Sequence, residues 1–256
     1  GKGFRDCFLR LGHEVDFFYY DQYLERVSEL QGALLEKVNS SRPDLVYFIL
    51  FGDQFSVETL AQIKMKTKTI NWFGDDQWRF DTFTTKYAPV MTYNVTTDPF
   101  AVSKYKKNGW NVVLSQWAAI DDDRPLDKLN QYKYDVSFVG GSHSVRRWFV
   151  HELEKKGIQV ATFGYGWPSG PISLDEMICL FQQTKINLNL SNSTTLDLRY
   201  LLNSYKNPIV AWRSPKSASQ IKARNFEIPY YGGFQMTDYV PTLERYLEIG
   251  KEVICY

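Results

Sequence analysis

The sequence predicts an α/β protein made of two Rossmann-like domains. Three observations carry that prediction: short apolar runs alternate with stretches of helical periodicity, a polar break divides them near the middle, and a length of 256 residues lies where one core gives way to two. At 44% hydrophobic and 23% charged residues the chain is ordinary globular material. The net charge of +1 argues against nucleic acid as a partner, since phosphate binding needs clustered basic surface. The longest apolar runs, such as DLVYFILF (44–51), suit buried strands and fall short of the ~20 residues that span a bilayer. Cys7, Cys179 and Cys255 are odd in number and far apart, so they predict reduced, mostly buried thiols rather than a disulfide framework or a metal knuckle. The sequons at Asn39, Asn94 and Asn192 read as chance.

The chain begins GKGFRDCFLRLGHEV, a glycine loop and helix without the strand that should precede them; the expectation is a first strand outside this sequence. EVDFFYY (14–20) has the aromatic composition of a strand, and apolar residues recur at helical spacing through 22–38. DLVYFIL (44–50) reads as a buried strand, 56–66 as a helix opened by a serine cap, and TKTINWF (67–73) as the next strand. VMTYNVTT (90–97), a helix over 99–108 and NVVLSQW (111–117) continue the βαβ alternation. The polar text IDDDRPLDKLNQYK sets the expected boundaries at 1–118 for the first domain, 119–133 for a linker and 134–256 for the second. In the second domain the expected strands are 134–140, 159–164, 185–191, 207–212, 233–238 and 251–256, with helices near 144–156, 173–183, 222–230 and 241–247. Ligands of open α/β sheets bind at the carboxyl ends of the strands, so the loops there are the first place to look for chemistry.

The densest such signal is SQIKARNFEIPYYGGFQMTDYVP (219–241): cations, a helix carrying a glutamate, a glycine pair and a strand. Through Lys222, Arg224, Phe226, Glu227, Pro229, Gly232, Gly233, Phe234, Thr237, Asp238 and Tyr239 it resembles the donor-site segment of group 1 GT-B glycosyltransferases, and more closely their CgeB-like (spore-maturation-protein-like) branch. LGHEV, RPDLVYF, TINWFGDDQWRF and TTDPFAVSKYKKNG in the first half, and DVSFVGG, FGYGWPSGPIS and KINLNLS in the second, extend the resemblance over nearly the whole chain. It implies a GT-B fold, two Rossmann-like domains facing across a cleft, and transfer of a sugar from a nucleotide-diphosphate donor, UDP- or GDP-linked, to a hydroxyl on a glycan, glycopeptide or protein. A cytoplasmic location and no membrane span are expected.

The chemistry of such a donor fits these residue types. Ribose hydroxyls need a carboxylate, which the resemblance assigns to Glu227. A departing diphosphate needs cations, for which Lys222, Arg224 and one of Arg146 and Arg147 are the candidates; no metal or other cofactor is then required. Arg146 and Arg147 are neighbours on one helix, so only one should face the ligand. Gly140 and Gly141, at a strand end before a helix, let backbone approach a phosphate, and His143 stands beside them. Gly164, Trp167, Ile172 and Ser173 lie where the family's base pocket falls, and Gly232 and Gly233 close the donor motif. Ser219 stands where group 1 enzymes commonly carry a second glutamate, eight residues before Glu227, which leaves the donor sugar open.

On the acceptor side, Asp75 and Asp76 follow a strand in WFGDDQW. One would be the general base if the enzyme inverts, and both would bind acceptor hydroxyls if it retains, the outcome the resemblance implies. The plainer reading is that they cap the helix or turn that follows. Asp121, Asp122 and Asp123 resemble a DxD metal motif but sit in a charged linker and read as a solvated turn. A non-catalytic nucleotide-sugar-binding protein of the same two-lobed fold is the competing class. An epimerase would need strong acid and base groups that the sequence does not offer.

Overall fold

The computed structural model describes residues 2–23, 25–121, 131–191, 197–214, 216 and 218–256. Asp122, Asp123 and Asn192 lie outside the described residues, as does most of the expected linker. The chain divides into two compact units, Gly1–Gln116 and Trp117–Tyr256, each an α/β layer structure on a parallel sheet.

In the first unit β1 (Leu45–Phe48), β2 (Lys68–Phe73), β3 (Tyr93–Thr96) and β4 (Val112–Leu114) pair side by side in sequence order, all parallel. Side chains alternate across a strand, and both faces of this sheet are covered. Phe48 and Phe73 pack with Leu30, Leu34 and Val38 of the helix Val27–Ser41 and with Leu60 and Ile63 of the helix Val57–Lys64. Tyr47 and Trp72, one position earlier, meet Phe4 of the helix Lys2–Arg10 at ring distances of 5.5 and 5.4 Å. The expected serine cap is Ser56, whose hydroxyl accepts from Thr59 N.

Residues 14–20 are not a strand. Phe17, Phe18 and Tyr20 are half-buried, Phe18 stacked on Tyr23 and Tyr20 edge-on to Phe55, and Tyr19 is exposed, in a segment that ends in the 3-10 turn Tyr20–Tyr23. The β-like composition thus reports a half-buried surface, which side-chain packing supplies here without a ladder. Cys7 and Cys179 are exposed and Cys255 is half-buried, against the expectation of buried thiols. Cys7 lies on the outward side of a helix whose inward positions, Phe4 and Phe8, are occupied by rings that meet Tyr47.

In the second unit β5 (Tyr134–Val139), β6 (Val160–Phe163), β7 (Thr184–Asn189), β8 (Gln235–Thr237) and β9 (Ile254–Cys255) form a parallel sheet in the order β6-β5-β7-β8-β9. Residues 207–212, expected as a strand, belong to the helix Lys206–Arg213. β7 pairs directly with β8, so the sheet has no slot there, and Pro208 sits in the first helical turn, where its missing N–H costs nothing. Residues 241–247 form only the 3-10 turn Leu243–Arg245. Among the described residues no helix is long and apolar enough to cross a membrane.

Candidate functional site

The first sheet runs in sequence order, so among its described strands the connections never reverse. The second does reverse: β6 lies on one side of β5 and β7 on the other, and the chain leaves β5 and β7 in opposite directions. Such a switch point opens a crevice at the carboxyl ends of the two central strands. Gly140 and Gly141 follow β5 and Leu190 and Ser191 follow β7, so the glycine pair stands at that crevice.

Arg146 spans it. From the first turn of the helix Ser144–Lys155 its Nε donates to Leu190 O at 3.0 Å and its NH1 to Gly141 O at 3.0 Å, with the guanidinium over the Phe138 ring at 5.4 Å. Burial pushes its pKa down, and nearby Asp238 opposes that. Arg147 turns the other way, is exposed, and donates to the hydroxyl of Ser142 at 3.0 Å. Of the two adjacent arginines, the structure therefore places Arg146 at the crevice.

His143 occupies the N-cap of that helix without a side-chain bond to it. Burial first, then the charges of Arg146, Lys216 and Arg147, holds its pKa down. A helix start ringed by cations, with first-turn amides that the helix itself leaves unsatisfied, is suited to an anion.

Two residues that sequence reasoning did not single out complete the crevice. Asn189 ends β7 and Ser191 follows it; both are over nine-tenths buried, and Asn189 Nδ2 and Ser191 Oγ have no hydrogen-bond partner among the described residues. Asp238, at the end of β8, accepts from Ser191 N at 2.8 Å. The readable signal was the alternation Asn187-Leu-Asn-Leu-Ser191, polar at every second position of an apolar strand. Buried polar atoms without partners are uncommon in folded proteins and mark a place where a ligand's polar groups would be accommodated.

Glu227 and Arg224 share the short helix Arg224–Tyr230. Arg224 NH1 donates to Glu227 Oε2 at 2.6 Å, and the side chains are only 24% and 15% exposed. Burial raises the Glu227 carboxyl, and Arg224 opposes the rise. Arg224 lies over the Phe181 ring and close enough to Arg146 for their charges to interact. Lys222, half-buried just before the helix, donates its backbone N–H to Asn225 Oδ1 at 2.9 Å, which fixes the helix start. Gly232 follows the helix at φ +82°, and Gly233 is packed so closely that an added Cβ would lie 2.9 Å from Asn187 Nδ2. Gly232 is thus explained by its backbone angle and Gly233 by the close approach of neighbouring side chains.

The base-pocket residues receive different roles from those expected. Ser173 is an N-cap: its hydroxyl accepts from Glu176 N at 3.2 Å, and Glu176 Oε2 accepts in return from Ser173 N at 2.7 Å and from the hydroxyl at 2.8 Å, a capping box. Ile172 packs against the cluster of Met177, Ile178, Phe181, Ile228 and Tyr231. Trp167 Nε1 donates to Gly140 O at 2.9 Å, and Gly164 gives Gly140 the room to approach, so both hold the β5 end from behind. A Ser173→Ala chain should lose about 1 kcal/mol of stability in a urea titration and keep its ligand affinity, as a cap residue does.

Asp76 is also corrected. It is 3% exposed, and its carboxylate accepts from Thr84 Oγ1 at 2.6 Å, Thr96 Oγ1 at 2.5 Å and Tyr105 Oη at 2.9 Å. Desolvation raises its pKa to about 6 despite those bonds. A carboxylate enclosed in this way holds the first unit's core and does not reach an acceptor. Asp75, half-buried, takes the N-cap position before Asp76–Arg79 without a side-chain cap bond. Asp121 accepts from the Tyr230 hydroxyl within the second unit. Among the described residues no three His, Cys, Asp or Glu side chains are placed to hold a metal ion.

Residues 146–256 match the model of the family described as glycosyl transferase-like. That span runs from Arg146 through Asn189, Ser191, Glu227 and Asp238 to the end of the sheet, and Gly140, Gly141 and His143 lie just before it. No curated protein matches the chain in sequence. Among solved structures, it is similar to an alpha1,3-fucosyltransferase at 12% identity and TM-score 0.44, covering 86% of this chain and 67% of that one. It is also similar to a protein described as a UDP-N-acetylglucosamine 2-epimerase from Listeria monocytogenes at 8% identity and TM-score 0.46, covering 88% of this chain and 64% of that one. The chain thus spans about two thirds of each.

Proposed function

We propose that this protein is a GT-B glycosyltransferase of the CgeB-like branch, taking a sugar from a UDP- or GDP-sugar and passing it to a hydroxyl on a glycan, glycopeptide or protein in the cytoplasm, with retention and without a metal ion. The observation that carries the reading is the crevice between β5 and β7. There a half-buried arginine, a cation-ringed helix start and the unpartnered Asn189 and Ser191 converge, where the span similar to glycosyl transferase-like proteins begins.

In this reading the diphosphate lies at the N-terminus of the helix Ser144–Lys155, over Gly140 and Gly141 and beside His143. Glu227 accepts the ribose hydroxyls, and Arg224 orients its carboxylate. Lys222 and Arg224 supply positive charge as the bond from the sugar to the diphosphate breaks and the bond to the acceptor oxygen forms. Asp75, the less enclosed member of its pair, is the acceptor-side carboxylate.

A thermal-shift screen against UDP, GDP, ADP and dTDP tests this, because a ligand that binds only the folded state raises Tm. One nucleotide should shift Tm, and Glu227→Gln, which keeps an acceptor for Arg224, should bind it about tenfold more weakly once the charge is gone. Equal shifts in wild type and Glu227→Gln would remove the ribose assignment. Release of nucleoside diphosphate from the matching sugar nucleotide, with and without acceptor extract, separates transfer from binding alone.

A further inference from the structure

The helices Leu198–Asn203 and Lys206–Arg213 carry an apolar surface that the rest of the second unit leaves uncovered. Trp212 is 85% exposed, Leu202 84% and Tyr205 80%, and Leu198, Ile209 and Val210 are exposed beside them. The inward sides of these helices are well anchored. Tyr200 is buried with its hydroxyl against Ser144 Oγ at 2.8 Å and its ring edge-on to Trp148, and Asn207 Nδ2 donates to Tyr200 O at 2.7 Å. Helical spacing then turns Tyr205, Ile209 and Trp212 outward as one row, with Lys206, Val210 and Arg213 as the row beside it, while Leu198 and Leu202 stand together on the neighbouring helix. A contiguous apolar surface of this kind on a soluble domain marks an interaction site.

The charge pattern points to the partner. The two helices, spanning 198–213, hold Arg199, Lys206 and Arg213 and no Asp or Glu. Asp197, just ahead, is taken by Arg199 at 2.6 Å. Exposed Lys206 and Arg213 flank the apolar row, and Lys206 lies 5.7 Å from the Tyr205 ring. A protein partner with an apolar face would be expected to meet carboxylates and cations together. A surface with exposed Trp, Tyr and Leu, cations at its edge and no acid within its two helices, the nearby Asp197 and Glu152 facing Arg199, matches instead the boundary of a negatively charged bilayer, where aromatic rings sit at headgroup level and lysine and arginine reach the anionic heads.

We infer that this helix pair docks the protein peripherally on an anionic lipid surface, with Leu202, Tyr205, Ile209 and Trp212 inserted at the headgroup boundary and Lys206 and Arg213 against the anionic heads. The site is separate from the crevice residues, and its test does not depend on the proposed transfer reaction.

Co-sedimentation with extruded vesicles decides the matter, using phosphatidylcholine alone and phosphatidylcholine with one third phosphatidylglycerol. The wild-type chain should pellet with the anionic vesicles only, and raising salt to about 0.5 M should weaken binding by about tenfold or more, as screening requires. Leu202→Ser with Trp212→Ser, and separately Lys206→Glu with Arg213→Glu, should each bind at least about tenfold more weakly. All four side chains are exposed, and an unchanged circular dichroism melt verifies that each variant folds. The Trp emission of the wild type should move to the blue with anionic vesicles, and Trp212→Phe should remove that movement. A wild-type chain that stays in the supernatant with anionic vesicles, or patch variants that bind as well as wild type, would overturn the proposal. So would light scattering showing a dimer that Leu202→Ser with Trp212→Ser converts to monomer, which would make a second copy the occupant.

Discussion

A Gly164→Ala chain is expected to lose about 4 kcal/mol or more of the second unit's stability, combining the strain of an alanine at a glycine-only backbone angle with that of overpacking. Gly164 has φ +125°, and an added Cβ would lie 2.4 Å from Gly140 O and 2.8 Å from Gly140 C. Neither neighbour can retreat. Gly140 N donates to Phe163 O at 2.9 Å, Gly140 O accepts from Trp167 Nε1, and Gly164 N donates to Gly170 O at 2.7 Å. The clash is therefore between two pieces of main chain already bonded at the end of the sheet. Gly170 is the control: it has φ +69° with nothing within 4 Å of a built Cβ, so Gly170→Ala should cost only about 1 kcal/mol, the penalty for a left-handed alanine. Chemical denaturation followed by circular dichroism compares the two. Equal costs would show that backbone angle alone, and not the approach of Gly140, explains Gly164.

The second large effect is at Asp76. Removing its carboxylate in Asp76→Ala leaves the buried hydroxyls of Thr84, Thr96 and Tyr105 without their shared acceptor, at a cost of about 3 kcal/mol to the first unit. The pH dependence has a definite sign. Desolvation lifts the pKa from 3.8 to about 6 in the folded chain, with Asp98 adding to the rise, so the folded state holds the proton more tightly than the unfolded state. The stabilisation from this group is complete below about pH 3.8 and is lost as the pH rises through about 6, a change of about 3 kcal/mol for a shift of this size. Asp76→Asn is neutral throughout and lacks that change. The stability difference between wild type and Asp76→Asn should therefore move in the wild type's favour on going from pH 7 to pH 4. Urea titrations at the two pH values measure it, and a difference independent of pH would show that Asp76 is not the buried titrating group.

These two residues illustrate how far the sequence could be read. The β-strands from 45 onward were legible because each is a short apolar run between turn signals, and the burial of β2, β3, β5 and β7 on both faces agrees with that pattern. The misreadings at 14–20 and 207–212 share a cause: aromatic and β-branched residues mark a surface to be buried, and whether a sheet or a helix buries it depends on whether a neighbouring strand has an open edge. Asp75 and Asp76 look alike in WFGDDQW. What separates them is Thr84, Thr96 and Tyr105, which lie up to 29 residues away in sequence, so only the fold reveals which carboxylate is enclosed. Arg146 and Arg147 were equivalent for the same reason, being adjacent on a helix whose placement on the sheet is a tertiary fact. Gly140 and Gly141 could be found because a strand, a glycine pair and a helix in succession describe a loop at a sheet's carboxyl end. Asn189 and Ser191 had a visible alternation, but nothing local in the sequence says that their side chains end without partners.

Hydrogen–deuterium exchange with and without the nucleoside diphosphate that shifts Tm tests most directly whether the crevice between β5 and β7 is the donor site. Protection should appear in peptides covering 140–147, 189–191 and 222–227, with residues 75–84 unchanged by nucleotide alone. Protection confined to other parts of the chain, or the absence of binding by any of the four nucleotides, would contradict the assignment.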